Sequence, residues 1–147
     1  TDSSMRMPTA AIGPWVIAGS RLWTAPQAPS MPGAGELGDP LAKPEFVERE
    51  VRRLQLSIDA AHKHEQASSG QLVRIAATHF PPRYSNGLET VFSKSIEAWK
   101  PVVCVYGHLH GEGISAGFVG QGGGVRYVLA SCDAAQFQPV LIHEVAD

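Results

Sequence analysis

Two short apolar runs, 72–77 (LVRIAA) and 102–106 (VVCVY), each end in a histidine-bearing turn, and this arrangement narrows the fold more than any other feature. Runs of this length bounded by turn residues read as buried strands. Between them, 88–99 carries a short helical pattern with Val91, Phe92, Ile96 and Trp99 facing inward, stopped by Lys100 and Pro101. Upstream, Pro44 opens a longer helix, with Glu45, Glu48 and Glu50 suited to the positive end of its dipole. Val47, Val51, Leu54, Ile58 and Ala61 form one apolar stripe along it, while Glu48, Arg49, Arg52 and Arg53 lie off the stripe. His62 and His64 fall in its fraying end and read as solvated surface histidines.

The rest of the chain is organised by turns. Residues 1–14 read as an irregular lead-in, and 15–23 (WVIAGSRLW) as one strand or two short pieces. The stretch 24–44 is loaded with Pro, Gly and Ala, so no helix or strand period survives and a long loop is expected. Beyond Gly111, three strand candidates, 113–119, 125–131 and 139–145, are separated by Gly-rich turns and suggest a terminal antiparallel meander. The predicted order is β–loop–α–β–α–β–β–β–β, a mixed α/β (α+β) chain forming a single domain over 1–147.

Composition excludes several classes. With 44% apolar and 18% charged residues the chain is globular, not disordered. A net charge of -2 gives no electrostatic case for nucleic acid or anionic membranes. No apolar run approaches the roughly 20 residues that span a bilayer. Cys104 and Cys132 sit in apolar strand-like runs and read as reduced core thiols. With no basic-then-apolar leader, a cytoplasmic location is expected.

The chemistry concentrates in Gly107-His108-Leu109-His110-Gly111. Histidines at i and i+2 on extended chain point to one face with Cβ atoms about 6.5–7 Å apart. That spacing suits a pair of metal ions about 3.5–4 Å apart. A second strand delivers His79 in the same way, and ligands gather outside the carboxyl ends of strands in open α/β sheets. His79, His108 and His110 are therefore the expected metal ligands, neutral imidazole being common for divalent transition metals.

These residues also carry a resemblance. THFPP (78–82), VYGHLHG (105–111), GVRYVLASCD (124–133) and GSRLW (19–23) resemble the C-terminal half of calcineurin-like metallophosphoesterases, most nearly the bacterial group of predicted phosphohydrolases, over 15–142. The resemblance implies a β-sandwich of two mixed sheets flanked by helices, with a two-metal site at its strand ends. It implies that His79 and His108 bind the second metal and His110 the first. The two divalent ions (Mn, Fe, Zn or Co) would clamp a small phosphate ester and activate a bridging water for in-line attack.

The family's Asp-x-His, Gly-Asp and Gly-Asn-His motifs are absent here, including the one that carries its general-acid histidine. Asp2 lacks a histidine two residues on, Asp39 sits in the Pro/Gly loop, and no Asn-His occurs. The chain is therefore expected to be the C-terminal half of a hydrolase of phosphomonoesters or phosphodiesters, holding one ion or none and inactive alone. The alternative is a non-catalytic half-domain or degenerate relative that binds metal or a partner. A half-sandwich exposes edges and apolar faces, which favours a homodimer or association with the missing half.

Other residues carry weaker expectations. Arg21 is a candidate phosphate contact or a surface ion pair. Asp133 is a candidate to orient a ligand histidine, or a turn cap. Arg83 and Tyr84 occupy the turn after His79, where solvent-facing residues are the rule. The 120–124 segment (GQGGG) precedes a strand, not a helix, so a dinucleotide loop is excluded, and Ser131 lacks a nucleophile elbow.

Overall fold

The computed structural model describes residues 9–29 and 42–146. Residues 1–8 of the lead-in, with Asp2, and 30–41 of the Pro/Gly loop, with Asp39, lie outside the described residues.

Six strands form one mixed sheet: β1 (Thr9–Ile12), β2 (Trp15–Ala18), β3 (Val73–Ala77), β4 (Val103–Tyr106), β5 (Gly120–Gly122) and β6 (Val125–Leu129), in spatial order β1-β2-β3-β4-β6-β5. The inner four run parallel, and each edge is a hairpin partner paired antiparallel. Both hairpin turns need left-handed backbone, supplied by Gly13 (φ 56) in one and by Gly123 (φ 56) and Gly124 (φ 80) in the other.

Helices α1 (Pro44–Ala67) and α2 (Val91–Trp99) connect the parallel strands and pack against each other. Alternate strand residues, Val16 and Ala18, Cys104 and Tyr106, Val125 and Tyr127, bury with Leu54, Ile58, Phe92, Ile96 and Trp99 in one core. Helix α2 starts with a capping box: the Thr90 hydroxyl accepts from the backbone N–H of Phe92 and Ser93, and Ser93 Oγ accepts from the N–H of Thr90. The same Thr90 hydroxyl donates to the Pro82 carbonyl, which fastens the turn after His79 to this helix.

On the opposite face Ile17, Ala77, Val105 and Ala130 line a cleft of about 710 Å³. The chain after β6 reaches this side, where His143 packs edge-on against Trp15 and the Ile142 carbonyl accepts from Arg126.

Several expectations are corrected. The lead-in contains β1, whose Ala-rich sequence carries no strand signal and is recruited by pairing with β2. The antiparallel meander does not form. Its first segment is a 3₁₀ helix (Gly111–Ala116), its second is β6 lying parallel to β4, and 139–145 pairs with no strand among the described residues. A parallel β6 follows because the 3₁₀ helix and β5 carry the chain back before it re-enters beside β4. Helix α2 begins at Val91, which is 38% exposed, since the cap places it outside the buried stripe. Helix α1 continues through Ala67, so His62 and His64 lie on intact helix, though exposed as expected. Glu50, read from the sequence as suited to the positive end of the dipole, is fully buried. Cys132 is exposed beyond β6, so it is no core thiol, whereas burial pushes the Cys104 thiol up to about 12.

The ends of β2 and β3 meet closely just before His79. A Cβ on Gly19 would run into the Ala77 carbonyl, and the Gly19 N–H donates to Ser57 Oγ at 2.9 Å. Gly19→Ala is expected to destabilise the chain by about 3 kcal/mol, as overpacking against backbone does. Gly70→Ala, which meets nothing within 4 Å, should stay within about 0.5 kcal/mol of wild type. Urea denaturation followed by circular dichroism checks both, and equal midpoints for the two variants would contradict the close approach.

Candidate metal centre

The pairing of β3 with β4 continues past both strands. The Thr78 N–H donates to the Val105 carbonyl at 2.9 Å, and the Gly107 N–H to the His79 carbonyl at 3.1 Å. His79 and His108 thereby leave adjacent strands side by side, with His79 Nε2 3.2 Å from His108 Nδ1. Phe80 lies over the His108 ring at 4.0 Å between centroids and meets His79 edge-on. Phe80 also meets Trp23, at 5.2 Å between ring centroids.

His108 and His110 do not share an extended strand face as their spacing suggested. His108 adopts φ 69, and the Leu109 N–H closes onto the Gly107 carbonyl at 2.8 Å. This turn drives Leu109 into the core and swings His110 toward the loop after β6. There the His110 Nδ1 sits 2.8 Å from Asp133 Oδ1, and the Gly111 N–H donates to Asp133 Oδ2 at 2.8 Å. Ligand atoms of His110, Cys132 and Asp133 lie within 4.8 Å of one another.

The electrostatics favour neutral imidazole and charged carboxylate. Partial burial, then the neighbouring His79 and His110, lowers the His108 value below the ordinary 6.5. The N–H of Gly111, then the His110 ring, holds the Asp133 carboxyl at about 2. A charged Asp133 accepts a proton held on His110 Nδ1, which leaves the Nε2 lone pair for a ligand.

Two imidazole nitrogens bound to one tetrahedral zinc lie about 3.3 Å apart, since each bond is about 2.0–2.1 Å. The His79–His108 separation of 3.2 Å fits that arrangement. Both Asp133 oxygens are engaged by His110 and backbone N–H groups. The sequence's single asparagine, Asn86, is tied to Gln27 and Leu88 in a surface turn.

The remaining sequence candidates separate clearly. Arg21 shares the rim of the large cleft with His79, pairs with Glu50 at 3.2 Å and stacks over Trp23. Arg83 is not solvent-facing: it pairs with Glu97 at 2.7 Å and packs on Phe118. Tyr84 is buried, its hydroxyl accepting from the Ala25 N–H. Both face inward because the short bridge between Tyr84 and Gly117 ties their turn to the 3₁₀ segment. Ser131 is buried at the end of β6. Phe80 was missed, although an aromatic directly after a strand-end histidine is a signal for a ring stacked on the site. No family model, curated protein or solved structure matches this chain.

Asp133 gives a pH test. Its folded value, about 2, lies below the ordinary 3.8, so its contacts stabilise the fold above the ordinary value and lose that effect as pH falls through the folded one. The stability gap between wild type and Asp133→Asn should be full above about pH 4 and shrink toward about pH 2. Urea midpoints across this range check it, and a gap that does not change with pH would contradict the assigned contacts.

Proposed function

We propose that this chain supplies the histidine side of a metal-dependent phosphohydrolase of the calcineurin-like kind, acting on phosphomonoesters or phosphodiesters. The observation that carries the reading is the pair of imidazole nitrogens, His79 Nε2 and His108 Nδ1, 3.2 Å apart at the ends of adjacent parallel strands. The resemblance in THFPP and VYGHLHG supplies the reaction class.

In this reading His79 and His108 hold one divalent ion, and the lowered value of His108 keeps its lone pair available at neutral pH. Asp133 fixes the His110 ring; among the described residues the ligand atoms of the three histidines do not all lie within 4.8 Å of one another, so His110 would move onto the ion to become a further ligand. Phe80 covers one face of His108 and excludes water from it. Arg21, at the rim of the same cleft as His79, offers guanidinium donors to phosphoryl oxygens. A bound divalent ion would polarise the phosphoryl group and lower the pKa of a coordinated water toward neutrality. A carboxylate and carboxamide that complete a two-ion centre would come from another segment or chain. A second sheet, as the resemblance implies, would pack on the apolar face formed by Ile17, Ala77 and Val105.

One observation favours a second reading, a non-catalytic metal-binding or partner-binding module. Among the described residues Asp133 and Asn86 are both committed to structural contacts, so this pair is not free to accompany the histidines as metal ligands.

Titration of the metal-free chain with Zn²⁺ or Co²⁺, followed by calorimetry, separates these from a chain with no metal site. One equivalent is expected to bind. Asp133→Ala should weaken binding about 10–100-fold, as loss of an outer partner does, and His79→Ala or His108→Ala more than that. Turnover of bis(4-nitrophenyl) phosphate by the chain alone should be negligible under either reading. Binding that survives both histidine substitutions would sink the assignment.

A further inference from the structure

Glu50 is buried inside α1, yet three arginines converge on one of its oxygens. Arg53 Nη1 lies 2.8 Å, Arg21 Nη2 3.2 Å and Arg49 Nε 3.3 Å from Oε1. The other oxygen, Oε2, is buried without a hydrogen-bond partner among the described residues. The guanidinium-bearing side chains remain 47%, 41% and 37% exposed for Arg21, Arg49 and Arg53. Each guanidinium has five N–H donors and gives one close contact to Glu50, so most donors are left for something else.

Two of the three also lie over rings: Arg21 over Trp23 at 4.8 Å and Arg49 over Phe46 at 5.2 Å. Lys43 reaches the same Phe46 ring at 5.7 Å. Trp23 and Phe46 meet edge-on, and Trp23 contacts Phe80, which covers His108. A continuous aromatic floor therefore joins the arginines to the imidazoles, with Arg21 and His79 on one cleft.

A surface ion pair needs one cation per carboxylate. Here three cations share one anion, two of them lie over aromatic rings, and their remaining donors suit planar, bidentate recognition. We propose that Arg21, Arg49 and Arg53, organised by Glu50, form a receptor for a phosphoryl group beside the histidine centre. Resting on the hydrolase reading above, this makes the substrate a compact phosphate ester that carries a second phosphoryl group. Glu50 is a positioning residue; the arginines contact the ligand.

The test uses inorganic pyrophosphate as the probe, titrated into the full chain in EDTA and followed by calorimetry. Pyrophosphate is expected to bind with one-to-one stoichiometry and more tightly than orthophosphate. Arg21→Gln and Arg49→Gln should each weaken it about tenfold, the loss of a charge-assisted hydrogen bond. Lys94→Gln, on the exposed face of α2 and outside both groups, should leave this metal-free binding unchanged. Glu50→Gln should weaken it although the substitution adds net positive charge, since the arginines lose their organiser. If Glu50→Gln does not fold, the two exposed arginine variants still decide. Absent binding in wild type, arginine variants that bind like wild type, or tighter binding by Glu50→Gln would overturn the proposal. Pyrophosphate binding without divalent-metal binding would sink the hydrolase reading and keep the receptor; metal binding without pyrophosphate binding would do the reverse.

Discussion

The parallel pairing of β3 with β4 sets the position of everything chemically active in this chain. Its register places Ala77 opposite Val105, and two further backbone hydrogen bonds carry the pairing beyond the strands to Thr78, His79 and Gly107. The backbone here is buried between neighbouring strands, so its N–H and C=O groups must pair, and a slip of one residue would send His79 to the opposite face. Side chains that follow adjacent parallel strands emerge at the same sheet edge. That is why residues 29 apart in sequence bring ring nitrogens within 3.2 Å.

Packing on the two faces of the sheet differs, and the difference shapes the site. Helices α1 and α2 fill one side with a continuous core, while the other carries an apolar cleft reached by the chain after β6. Parallel strands are normally covered on both faces. The helical side also holds Glu50, whose burial is tolerated because three guanidiniums neutralise it at close range. Charge buried on one side of the sheet thus organises exposed charge at the strand ends, close to the imidazoles.

Much of this architecture was legible in the residues. The apolar stripe from Val47 to Ala61 marked α1, and the short apolar runs before His79 and Gly107 marked β3 and β4. Mixed α/β class followed from their alternation, and the structure has that class. What was not legible depended on tertiary pairing or on left-handed backbone. β1 has no hydrophobic alternation and exists through β2. The GISAG stretch reads equally as strand or turn, and local i→i+3 bonding wins there. His108 at φ 69 breaks the extended geometry that the His-x-His spacing suggests, since nothing in the sequence announces a left-handed histidine. Glu50 is the sharpest case: beside Arg49 and Arg53 of its own helix, its third cation is Arg21, 29 residues away in the loop after β2.

X-ray absorption at the zinc edge of the zinc-loaded chain tests the central claim most directly. Imidazole scattering from at least two histidines at about 2.0–2.1 Å is the expected result, reduced when either His79 or His108 is replaced by alanine. A spectrum dominated by sulfur from Cys132, or by oxygen alone and unchanged in both variants, would show that the two strand ends do not build a metal centre.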